Sequence, residues 1–207
     1  MPSLLVKEVF RSIQGEGPAI GEPATFIRIS GCNLACSYCD TGHDDGKEWG
    51  LTGLVSEAET GPARVVITGG EPLLAGENLI PLARAIVATG RKVDIETNGT
   101  IAPPAGLVDL IDNYVISPKL SNSGNRARAR ALADPLPAGP LKFIVDRVED
   151  LDEVEQVAGG LPGREVIITP MGTNPMRILD IMSELSGPVA GRGWRLLPRL
   201  HILLGIR

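Results

Sequence analysis

The sequence predicts an α/β protein on a parallel sheet, because short β-branched runs recur, helical apolar spacing lies between them, and polar motifs sit where the runs end. The runs are ATFIRIS (24–30), RVVITGG (64–70), KVDIETNG (92–99), NYVISPK (113–119), LKFIVD (141–146) and EVIITPMG (165–172). Near-continuous apolar strands of this kind fit burial on both faces, as parallel sheets require. After the second run, ENLIPLARAIVATG sets Leu79, Ala83, Ile86 and Val87 at helical spacing and ends on Gly90, a helix stop. DLDEVEQVAGG and NPMRILDIMSEL repeat the pattern after the fifth and sixth runs. Leu51, Leu54 and Val55 offer one weak helix at most.

Two stretches break the rhythm. Residues 31–50 form a polar loop holding Gly and Cys, and 120–140 is rich in Pro, Ala and Arg. Loops of this length carry function or disorder. Functional sites on parallel β/α sheets lie at the C-terminal strand ends, and GCNLACSYCDT, TGGEP, ETNG, SPK and TPMGT all fall there.

At 207 residues the chain has room for one domain, 1–207. A net charge of −5 disfavours phosphate backbones, so nucleic acid is not an expected partner. No run approaches the ~18 apolar residues of a membrane span, and no signal-peptide core is present. The expectation is a cytoplasmic protein. There, clustered cysteines point to metal rather than disulfides.

All three cysteines, Cys32, Cys36 and Cys39, lie in one C-x3-C-x2-C motif. With His43 they could close a structural zinc tetrahedron. The other reading is a 4Fe-4S cluster, usually held by four thiolates. Three thiolates leave one iron open to a small molecule.

This spacing, with Tyr38 before the last cysteine, resembles the radical S-adenosylmethionine (SAM) superfamily. There SAM chelates the open iron and is cleaved to a 5′-deoxyadenosyl radical. TGGEP at 68–72 looks like the superfamily motif that holds the SAM amino group, and Glu71 would offer its carboxylate to that cation.

EVFRSIQGEG (8–17), FIRISGCNLACSYCDT (26–41), ETNGT (96–100), SPK (117–119) and RLHILLGIR (199–207) together resemble the 7-carboxy-7-deazaguanine synthase family of queuosine and 7-deazapurine biosynthesis. The resemblance implies a modified, incomplete (β/α)6 partial TIM barrel of the radical SAM type. It implies conversion of 6-carboxy-5,6,7,8-tetrahydropterin to 7-carboxy-7-deazaguanine with loss of ammonia, SAM being regenerated. It further implies Mg²⁺ bound by Thr41, a flavodoxin- or ferredoxin-type electron donor, and a homodimer.

For the pterin, the resemblance nominates the Ile13–Gly15 backbone, Gln14, Glu16, Thr68, His201 and Arg207, the last through its terminal carboxylate, in a closing segment 193–207. Arg28 suits the substrate carboxylate, which a guanidinium binds bidentately. For SAM it nominates Tyr38, Asp40, Gly69, Gly70, Glu71, Glu96, Asn98, Ser117, Lys119, and the turn Pro170, Met171, Gly172. Gly172 stands where the family more often has an acidic residue. His201 is expected on a terminal strand. A glycyl-radical activating enzyme with a protein partner and a non-catalytic zinc protein are the alternatives.

Overall fold

The computed structural model describes residues 3–42, 45–125 and 131–206. Among these residues nine strands form one sheet in the order β3-β1-β2-β4-β5-β6-β7-β8-β9. Strands β2 (Pro23–Ile29), β4 (Arg64–Gly69), β5 (Lys92–Thr97), β6 (Asn113–Ile116), β7 (Leu141–Val145) and β8 (Val166–Pro170) are the six runs read from the sequence, and each pairs in parallel with the next. A short β9 (Arg195–Leu196) adds in parallel at one edge. Among the described residues the edge strands β3 and β9 do not pair with each other, so the sheet stays open as the incomplete barrel requires.

Strand β1 (Ser3–Ile13) runs antiparallel to β2 and carries β3 (Lys47–Gly50) on its other side. The sequence reading missed both. Thus the predicted loop 31–50 ends in strand over its last four residues.

The predicted helices form. In α1 (Leu51–Glu59), Leu54 and Ala58 are buried. In α2 (Leu79–Ala88), Leu79, Leu82, Ala83 and Ile86 face the core, while Val87 is exposed instead. A short α3 (Ala105–Val108) follows β5. Helix α4 (Asp150–Gly159) opens with Asp150, Asp152 and Glu153, carboxylates that complement the helix dipole. Helix α5 (Pro175–Gly191) is capped by Asn174, whose side chain accepts from the Arg177 amide, and buries Ile178, Ile181, Leu185 and Val189.

These faces and the strand side chains join one core that includes Ile27, Ile67, Ile95, Ile116, Phe143 and Ile168. His201 lies in a final helix, α6 (Leu200–Leu204), and not on a strand. Five residues of mostly apolar sequence carry no period that separates the two. No described helix is long and apolar enough to cross a membrane.

Candidate active site

Strand β2 leads into the cysteine loop, and the turn after β4 holds that loop in place. The Glu71 amide donates to the Gly31 carbonyl at 3.0 Å. A Cβ at Gly69, where φ is +152°, would stand 2.2 Å from the Ile29 carbonyl oxygen, and one at Gly70 2.3 Å from that of Gly31. Only glycine allows this approach. Asn98 Nδ2 reaches Asn33 Oδ1 at 2.9 Å, and Asn33 in turn donates to Thr100 at 2.7 Å, tying the loop to the end of β5.

Glu71 is fully buried and is not among the residues that line the cavity. Its carboxylate accepts from the Leu73 amide (3.0 Å), Thr97 Oγ1 (2.8 Å) and the Asn98 amide (2.7 Å). Burial raises its pKa against those donors. These three bonds brace the turn between β4 and the end of β5.

Cys32, Cys36 and Cys39 are free thiols that line one cavity of about 600 Å³. Burial raises the pKa of Cys32 and Cys36; the Leu34 amide works against this at Cys32, and Lys119 and Asn125 at Cys36. Among the described residues no three His, Cys, Asp or Glu side chains converge on a single-ion site. Cluster thiolates need no such convergence, since each takes its own iron. His43, the proposed fourth zinc ligand, lies outside the described residues.

The C-terminal ends of the parallel strands line the cavity through Thr68 and Gly69 from β4, Glu96 from β5, Ser117 and Lys119 beyond β6, and Met171 and Gly172 beyond β8; Lys142 joins them from the start of β7. Lys119 donates to Ser117 Oγ at 2.8 Å. Burial, with Lys142 nearby, lowers its pKa. Glu96 accepts from Gln14 Nε2 at 3.0 Å and from Thr68 Oγ1 at 2.9 Å. Gln14 Oε1 accepts from the Glu16 amide at 3.1 Å, fixing the loop after β1 over the strand ends.

Strands β1 and β2 and the C-terminal segment also line the cavity. Phe10 and Phe26 stack with centroids 4.9 Å apart, and Arg28 lies 5.6 Å from the Phe10 centroid. Arg28 Nε also pairs with Glu8 at 2.9 Å across the β1–β2 ladder. Gly15 meets His201 so closely that a Cβ would fall 2.1 Å from Nδ1, while its carbonyl accepts the Leu200 amide at 2.9 Å. Burial lowers the pKa of His201, which favours the neutral ring.

Two cations missed in the sequence organise the charge here. Glu16 is ion-paired to Lys142 through one oxygen and to Arg199 Nε, at 2.9 Å, through the other. Arg199 also pairs with Asp40 and donates to the Gly172 carbonyl at 2.7 Å. Burial works to raise the Glu16 pKa, but Lys142 and Arg199 more than offset it and hold the carboxylate well below the usual range. Thr41 Oγ1 donates to Asp40 Oδ1 at 3.0 Å beside this network. A Lys inside the apolar run LKFIVD and an Arg inside PRLHILL were the available signals.

Of the nominated site residues that are described, all but Glu71 and Pro170 line the cavity. Pro170 is buried in the last position of β8. Arg207 lies outside the described residues.

No protein-family model matches the chain. It is 37% identical to the 7-carboxy-7-deazaguanine synthase of Pyrobaculum aerophilum over 98% of this chain and 95% of that protein. It is 36% identical to that of Methanospirillum hungatei, over 97% and 85% respectively. Among solved structures, QueE from Escherichia coli shares its fold with a TM-score of 0.73 at 24% identity, covering 96% of this chain and 95% of that one. Streptococcus suis SuiB, in a structure with S-adenosylmethionine bound, matches at a TM-score of 0.52 and 14% identity, covering 81% of this chain and 47% of that one. The near-complete coverage at this identity shows that the chain belongs to the 7-carboxy-7-deazaguanine synthase family.

Proposed function

We propose that the chain converts 6-carboxy-5,6,7,8-tetrahydropterin to 7-carboxy-7-deazaguanine with loss of ammonia, as a radical SAM lyase using SAM catalytically. The observation that carries this reading is the shared cavity, which the three thiols, the Ile13–Glu16 loop, Arg28 and His201 all line. Full-length kinship with synthases of that name supports it.

The donor set fits a 4Fe-4S cluster: three unbridged thiols on one loop, with amide N–H groups aimed at two of the sulfurs. Cys32, Cys36 and Cys39 would hold it, and its open iron would bind SAM. Gly69 and Gly70 line the cavity where the amino acid end of SAM would lie, and Ser117 and Lys119 offer a donor pair to its carboxylate. Glu96, Asn98 and the Met171–Gly172 turn lie within the same cavity for the nucleoside. When bound, the cluster and SAM supply the electron and the hydrogen-abstracting radical.

The chain itself binds and orients the pterin. Glu16, held anionic by two cations, accepts from the N–H-rich edge of the ring. Gln14 and Thr68 are fixed through Glu96, so the cavity presents a set arrangement of donors and acceptors. Arg28, its Nε held by Glu8, is oriented for the substrate carboxylate, and the stacked Phe10 and Phe26 make a flat apolar wall beside it. Thr41 with Asp40 offers hard oxygen ligands to Mg²⁺. A flavodoxin- or ferredoxin-type donor and a homodimeric, cytoplasmic state complete the proposal on family resemblance alone.

The test is mass spectrometry of products after anaerobic reconstitution with iron and sulfide and incubation with dithionite, SAM, Mg²⁺ and the pterin. 7-Carboxy-7-deazaguanine is expected, and an unchanged pterin would refute the substrate. Omitting Mg²⁺ in the presence of chelator should abolish product; undiminished turnover would remove Thr41 as a ligand. Arg28→Ala should lose turnover at least tenfold while retaining full iron, and near-normal kinetics would take Arg28 out of the site.

A further inference from the structure

Asn125 lies beyond β6, 89 positions from Cys36 in the chain, yet its side-chain Nδ2 stands 3.1 Å from the Cys36 sulfur. Its other amide atom, Oδ1, accepts the Ala35 amide at 2.8 Å. A backbone N–H can only donate, so this contact fixes the orientation of the side-chain amide and leaves Nδ2 to face the sulfur. The amide is held from behind as well, with Nδ2 also 3.3 Å from Ser123 Oγ. The neighbouring Ser37 amide donates to the Ser123 carbonyl at 3.0 Å, so this segment and the cysteine loop are joined at several points. Among the described residues, Cys36 is the thiol whose sulfur receives a side-chain N–H; Cys32 receives the Leu34 backbone amide at 3.4 Å.

A hydrogen bond to a cluster sulfur strengthens as the cluster gains an electron, because the acceptor becomes more negative. Such bonds raise the reduction potential. We infer that Asn125 is a positioning and tuning residue for the cluster, raising its reduction potential through an N–H···S bond to Cys36 and making it easier to reduce. This rests on the reading of the cysteine loop as a 4Fe-4S site. The clamp on Ala35 is a separable role, since it uses the oxygen and not the nitrogen.

The experiment is an anaerobic redox titration of the reconstituted full-length protein, followed by electron paramagnetic resonance of the reduced cluster, with iron and sulfide measured per chain. Asn125→Asp keeps an acceptor for Ala35 and loses the donor to sulfur; Asn125→Ala loses both without adding charge. Both midpoints should move to more negative potential, so that at the wild-type midpoint the reduced-to-oxidised ratio falls several-fold; a tenfold fall corresponds to 59 mV for a one-electron couple. Unchanged midpoints at full iron loading would overturn the inference. So would loss of iron without a shift in the remaining cluster, which would make Asn125 a clamp only. A wild-type protein that takes up no cluster would overturn the cysteine-loop reading itself, and this inference with it.

Discussion

Arg199→Ala will lower kcat/KM for the pterin by about 100-fold or more while the cluster content stays normal. The buried guanidinium touches three separate parts of the cavity: Glu16 after β1, Asp40 in the cysteine loop, and the Gly172 carbonyl after β8. Removing one partner of a buried ion pair costs about 3–5 kcal/mol, because the other is left as an uncompensated charge. Each 1.36 kcal/mol is about tenfold in rate, so even the lower figure reaches two orders of magnitude if it falls on positioning. Arg199 acts through Glu16 and the two loops and need not touch the reacting atoms. The effect should therefore appear in KM for both pterin and SAM as well as in kcat, and Arg199→Lys should restore part of it. Kinetic constants within about threefold of wild type would show that the network does not position the site. A drop in thermal stability without a change in KM would give Arg199 a structural role only.

Gly70→Ala will load the cluster poorly. The added Cβ would meet the Gly31 carbonyl oxygen at 2.3 Å and Cys32 Cβ at 2.6 Å. Neither is the far end of a flexible side chain, so the start of the cysteine loop must move away from β4. Iron per chain after reconstitution should fall to less than about half of wild type, and activity with it, by the same close-approach argument that requires glycine there. Gly187→Ala is the matched control. Gly187 lies in α5 immediately before Pro188, and a Cβ added there would meet nothing within 4 Å outside its chain neighbours, so alanine should leave iron unchanged. Normal iron loading in Gly70→Ala would contradict the packing of the loop against the turn.

The six parallel strands were legible because their buried faces demand β-branched residues in unbroken runs. Strand β1 was not, since its register shifts between Val6 and Glu8 and its cavity-facing residues include Lys7 and Glu8. A bulge in a strand with a polar face erases the period-two alternation. The polar strand ends located most of the site. The bracing bonds of Glu71 were not legible, because a carboxylate in a turn looks the same whether it serves a ligand or holds the backbone. Lys142 and Arg199 escaped for a different reason. Their partner Glu16 lies 126 and 183 positions away in the chain, and pairing over such distances leaves no local pattern.

The most direct test of the central claim is the ratio of 7-carboxy-7-deazaguanine to 5′-deoxyadenosine formed by reduced, cluster-loaded protein given SAM, Mg²⁺ and the pterin. Catalytic use of SAM predicts product in many-fold excess over 5′-deoxyadenosine. If 5′-deoxyadenosine accumulates while the pterin is untouched, the radical chemistry stands and the substrate is wrong, which would favour a protein partner. Neither compound from protein shown to hold the cluster would contradict the account of the cysteine loop.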